Sequence, residues 1–111
     1  MKVFFQSRQL QETCSSENEV VRKLGRRMAN VLKQRLTELE AADSLEDMRS
    51  LPAARCHELS QDRKGQLAVN LVHPRRLIFR PDHDPVPTKE DGGLDWTQVT
   101  QILILEIVDY H

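Results

Sequence analysis

The chain has 111 residues, 39% of them hydrophobic and 30% charged, with a formal net charge of −1. That length accommodates one modest core, so a single domain spanning 1–111 is expected, and the composition argues against wholesale disorder. No apolar run approaches the roughly 18 to 20 residues of a membrane span, and Val3-Phe4-Phe5 is too short for a signal-peptide core. Cys14 and Cys56 stand alone, without C-x-x-C spacing, which suits a reducing compartment; cytoplasm is the expected location.

The near-zero net charge conceals alternating blocks. Residues 1–35 carry eight basic and three acidic side chains, and residues 36–48 carry five acidic and no basic ones. Residues 49–81 carry seven basic and two acidic side chains, and residues 82–111 carry one basic and seven acidic. A chain so organised can present a cationic face to a phosphate backbone without being basic overall, or its blocks can neutralise one another across the fold.

Taken in chain order, Lys2-Val3-Phe4-Phe5 fits a first strand. Ser16-Glu17-Asn18-Glu19 reads as a capping box, in which a Ser hydroxyl and a Glu three residues on satisfy free backbone N–H groups. Val20, Leu24, Met28, Val31, Leu32, Leu36 and Leu39 then recur at helical steps, with Arg22, Arg26, Arg27, Lys33 and Arg35 read as lying away from that stripe. Gly25 is expected to split the segment into a shorter and a longer helix. Ala41-Ala42-Asp43-Ser44 ends the long helix, Asp43 and Glu46 are expected to cap a short one through Met48, and Pro52 stops it.

The second half changes period. Arg55 to Leu59 is short and extended, and Ser60 to Gly65 has turn chemistry. Gln66 to Val72 alternates as a strand, His73-Pro74 turns the chain, and Arg76 to Arg80 forms another strand. A long polar loop occupies 81–97, rich in Pro, Gly and acidic residues, with Trp96 as a packing residue that closes it. In the last segment, Val99 to Tyr110, Ile102-Leu103-Ile104-Leu105 is apolar at every position, as expected of an interior strand covered on both sides. The expected fold is α+β, with N-terminal helices on one face of a mainly antiparallel sheet in the order β-α-α-β-β-β.

Three features call for chemistry beyond packing: the charged turn Asp62-Arg63-Lys64-Gly65, the strand opening Arg75-Arg76, and the terminal Asp109-Tyr110-His111. Gathered on one side of the sheet, they would suit phosphodiester chemistry on RNA. Strand scission by internal attack needs a base for the 2′-OH, an acid for the departing 5′-oxygen, and cations for the phosphorane. Histidine is the natural proton carrier near neutral pH, and arginine makes bidentate phosphate contacts while keeping its charge. The reaction requires no metal or other cofactor, and His57, His73, His83 and His111 lack ligand spacing. His57, beside Cys56, reads as a hydrogen-bonded structural histidine, and Asp82-His83-Asp84 as a solvated loop.

In order and spacing, Arg55 to Leu59, Asp62 to Gly65, Arg76 to Phe79 and the terminal Asp109-Tyr110-His111 resemble the HigB branch of the RelE/ParE toxins. The resemblance implies the toxin of a type II toxin–antitoxin pair, a ribosome-dependent endonuclease that cuts messenger RNA. It implies an antitoxin partner with a helix-turn-helix domain, the pair binding its own operator DNA. By the same resemblance His111 is the general acid or base, Tyr110 and Asp109 orient the nucleotide, and Arg76 holds the scissile phosphate. Arg63 and Lys64 match the basic turn that approaches the RNA backbone, and Arg75 is expected to bind RNA beside them. The chain departs from the pattern at Ser60 and Asn70, where many relatives carry basic residues. Two alternatives stand beside the nuclease: a non-enzymatic inhibitor of DNA gyrase like the ParE branch, and an inactive homologue that acts only in antitoxin binding and autoregulation.

Overall fold

A computed structural model describes residues 1–109. Strand β1 (Lys2–Phe5) is followed by three helices, α1 (Arg8–Ser15), α2 (Glu17–Leu24) and α3 (Arg26–Ala41). A 3-10 turn at Leu45–Ser50 leads to β2 (His57–Glu58), β3 (Leu67–Asn70), β4 (Arg75–Pro81) and β5 (Gln101–Asp109). The sheet order is β1-β5-β4-β3-β2, antiparallel throughout except for the parallel pair β1–β5. The expected α+β class and mainly antiparallel sheet are observed, with three helices in place of the expected two.

The added helix is α1, which the apolar stripe does not announce because none of its residues is buried. Local capping makes it instead. The Ser7 hydroxyl accepts from the Leu10 N–H at 3.1 Å, and the Ser16 N–H closes the far end on the Glu12 carbonyl. Ser16 then begins α2 with its own hydroxyl, which accepts from the Glu19 N–H at 3.3 Å, so this half of the capping box forms as expected. Gly25 separates α2 from α3 at φ +91°, a backbone conformation that a side chain would strain.

One face of the sheet carries the core. Leu67, Val69, Leu77, Phe79, Ile102 and Ile104 are buried against Val20, Met28, Leu32 and Leu39 of the helices. Arg35 corrects the helical reading: it is buried, not solvent-facing, because its position lies one turn from Leu32 and Leu39. Its guanidinium is satisfied by Glu38 Oε1 at 3.1 Å and by the carbonyls of Asn70 at 2.8 Å and Ala53 at 3.1 Å. A buried arginine thus ties α3 to β3 and to the approach to β2. The short turn after α3 also differs from expectation: its N-cap is Ser44, without a side-chain capping bond, while the Asp47 carboxylate accepts from the Asp43 N–H at 2.8 Å.

The other face is open. It holds a small cluster of Leu59, Ala68 and Ile78, bordered by Leu105 and Val108. Strand β5 is interior in its hydrogen-bond ladder, between β1 and β4, but only half of its apolar run is covered. Ile102 and Ile104 are fully buried, whereas Leu103 and Leu105 are partly exposed, correcting the expectation of cover on both sides. A register shift opposite Ile78 and Phe79 passes over Leu105, so Phe79 pairs with Ile104 and Ile78 with Glu106. That bulge allows Ile104 and Ile107, three residues apart, both to pack on the helix side.

The expected loop at 81–97 is partly built. Pro81 belongs to β4, Thr88 bridges Leu94, and Trp96–Gln98 forms a 3-10 turn. Trp96 closes the loop as expected: it is buried, donates to Glu58 Oε2 at 3.0 Å, and lies under the Arg49 guanidinium.

Candidate functional site

Strand alternation sorts the charged residues onto two faces. Arg76 pairs with Asn70 on one side and Val108 on the other, which sets its side chain on the open face with Ile78 and Val108. Arg75 points the other way, opposite Asp109, and the two form an ion pair at 3.0 Å. Three residues expected at one site are therefore divided: Arg76 is on the open face, while Arg75 and Asp109 pair on the helix side at the sheet's end. Tyr110 and His111 lie outside the described residues.

On the open face the structure adds a residue that sequence reasoning set aside. His57 of β2 pairs with Ala68 of β3 and shares its face. Its Nδ1 is 2.8 Å from the Arg55 carbonyl, which can only accept, so Nδ1 carries the proton. In the neutral ring Nε2 then has a lone pair, and this atom lies 3.4 Å from Arg76 Nη1. The ring is hydrogen-bonded, as expected, and also half-exposed next to the arginine of the candidate site. The only signal in the sequence was the extended stretch around it; the contact arises from pairing across three strands.

The basic turn is split as well. Arg63 reaches the open face but is engaged there, with Nη1 at 3.0 Å from Gln66 Oε1 and 3.2 Å from Glu106 Oε2. Lys64 is exposed and pairs with no carboxylate among the described residues. It lines a cleft of about 420 Å³ between this turn and the 81–94 loop.

The thiols do not contribute nucleophiles. Burial pushes Cys14 up to about 11 and Cys56 up to about 12, so both stay protonated at neutral pH, and both are free. Among the described residues no group of three or more His, Cys, Asp or Glu converges as a metal cage. His83 of the acidic loop instead accepts from the Thr100 N–H through Nε2 at 3.1 Å, tying the loop to the start of β5. Among the described residues no helix is long and apolar enough to cross a membrane.

No family model and no curated protein matches the chain. Solved structures do match. A YoeB/ParE toxin from Agrobacterium tumefaciens superposes over 100% of both chains with a TM-score of 0.54 at 10% identity. A chain of the YoeB–YefM complex from Staphylococcus aureus superposes over 100% of this chain and 97% of its own, with a TM-score of 0.56 at 16% identity. These likenesses do not single out the HigB branch; what they establish is that the chain has the α+β fold of RelE/ParE-like toxins, helices on one face of a five-stranded sheet.

Proposed function

We propose that the protein is the toxin of a type II toxin–antitoxin pair, a metal-independent endonuclease that cuts messenger RNA on the ribosome. The observation that carries this reading is the pairing of Arg76 with His57 on the open face of the sheet. A proton carrier and a cation fixed side by side on an accessible surface suit in-line scission of a phosphodiester. In this reaction a base removes the 2′-OH proton, the 2′-oxygen bonds to phosphorus, and the bond to the 5′-oxygen breaks as an acid protonates it. His57 Nε2, with its lone pair, is the base within the described residues. The terminal His111 is proposed as the acid, with Tyr110 orienting the nucleotide and Arg76 neutralising the phosphorane. Lys64 and Arg63 provide contacts to the flanking backbone. Asp109, turned to Arg75, has a supporting place at the strand's end.

The partner is an antitoxin with a helix-turn-helix domain. The YoeB–YefM complex among the matching structures supports an antitoxin partner; its helix-turn-helix domain, binding of the pair to operator DNA and residence in the cytoplasm are part of the proposal. One observation favours the non-enzymatic alternative, an inhibitor of gyrase or an inactive homologue: Arg63 and Arg75 are both held by carboxylates, which lowers the cationic potential. Induction in cells with mapping of message ends separates the readings. The parent is expected to cut messages, and His57→Ala, His111→Ala and Arg76→Ala to stop the cutting. Growth arrest with intact messages, unchanged in all three variants, would overturn the nuclease, and a supercoiling defect in its place would favour gyrase.

A further inference from the structure

A second cationic feature adjoins the site without coinciding with it. Where the chain approaches β2, beside the β3–β4 turn, a cavity of about 150 Å³ is lined by Arg55, Asn70, His73, Arg75 and Arg76, among others. We propose that this cavity is a phosphate-binding subsite, with Arg55 its principal cation, that takes a backbone phosphodiester of the RNA next to the one being cut. The proposal rests on the RNA-cleaving reading and extends it to the neighbouring nucleotide.

Charge is the first argument. Arg55, His73, Arg75 and Arg76 all line one small space, where Arg75 is paired with Asp109. Arg55 is exposed, and among the described residues no carboxylate pairs with it. An anion with several acceptor oxygens suits the Arg55 guanidinium, and a phosphodiester accepts the two-pronged donation of an arginine.

Backbone geometry is the second. Arg55 sits at φ +45°, a left-handed conformation that L side chains avoid and that folded proteins concentrate at ligand sites. It is held there from both sides: its N–H donates to the Pro52 carbonyl at 3.2 Å, and its own carbonyl accepts from His57 Nδ1 at 2.8 Å. The same residue thus orients the histidine through its carbonyl and lines the cavity.

Rigidity is the third. The Asn70 N–H donates to the Ala54 carbonyl at 2.8 Å, while the buried Arg35 clasps the Asn70 and Ala53 carbonyls. The two walls are therefore fixed to each other from beneath before any ligand arrives, which lowers the ordering cost of binding. Arg76 belongs to both places, lining the cavity and contacting His57, so adjacent phosphates of one strand would share it.

The test measures binding of a short single-stranded oligoribonucleotide to the full chain as salt is raised, by fluorescence anisotropy, beside message mapping in cells. Arg55→Gln is expected to flatten the log–log salt slope by about 0.7, one phosphate contact on a single strand, and Arg55→Lys to restore most of it. A slope unchanged in Arg55→Gln, with the parent binding RNA, would overturn the subsite and leave the nuclease reading intact. A flattened slope in a protein whose parent cuts no message would support the subsite and overturn the nuclease. Absence of RNA binding by the parent, together with no amide shifts around Asn70 to Arg76 on adding inorganic phosphate, would overturn the subsite too.

Discussion

The two faces of the sheet are made from the same strands and serve opposite ends. On the helix side Leu67 and Val69 of β3, Leu77 and Phe79 of β4, and Ile102 and Ile104 of β5 are buried apolar surface, and Arg35, the one buried charge among the described residues, has each guanidinium nitrogen at a partner. On the open side a three-residue apolar cluster is bordered by His57, Arg76 and the Arg63–Glu106 pair. A face that must hold the fold spends its positions on packing, whereas a face that keeps charge in water contributes little to stability and stays available for a ligand. The contrast teaches where to look for chemistry: on the face that packing does not claim.

The largest effect is expected from Phe79→Ala, a fully buried ring at the centre of the helix-side core, with a loss of about 3 to 5 kcal/mol in urea unfolding. Arg35→Ala follows. It leaves Glu38 without its cation and the part-buried Asn70 and Ala53 carbonyls without this donor, for a loss of about 3 kcal/mol in the same measurement. On the open face, Arg76→Ala is expected to change stability by less than about 1 kcal/mol while message cleavage falls by about 100-fold or more. If Arg76→Ala unfolds the protein as Phe79→Ala does, the division between the faces breaks. The smallest effect belongs to Glu106→Gln, which removes the half-exposed carboxylate holding Arg63: stability should move by about 0 to 1 kcal/mol, and RNA affinity should rise modestly at low salt. Weaker RNA binding in that variant would show that Glu106 positions Arg63 instead of masking it.

Much of this architecture is legible in local sequence because local rules produce it. The Ser16 cap, the break at Gly25 and the alternation of Leu67, Val69 and Leu71 each depend on a few neighbouring residues. Helix α1 is not legible in the apolar stripe, since a Ser7 side-chain cap, a backbone closure at Ser16 and only partly buried Leu10 and Cys14 hold it. Arg35 was misread because charge suggested solvent, while its helical position and two distant carbonyls place it in the interior.

The candidate site shows the same boundary more sharply. Sequence alone determined that basic residues open β4, that an apolar strand follows the acidic loop, and that the fold is helices on a mainly antiparallel sheet, because periodicity and turn chemistry act over short distances. Which charges meet was decided only in three dimensions. The bulge at Leu105 reverses the alternation along the rest of β5, turning Asp109 to Arg75 on the helix side and Val108 to the face of Arg76. Pairing of β2 with β3 then carries His57 onto that open face, beside Arg76. A one-residue change of register exchanges the two faces of a strand, and register is set by long-range packing that no local pattern encodes.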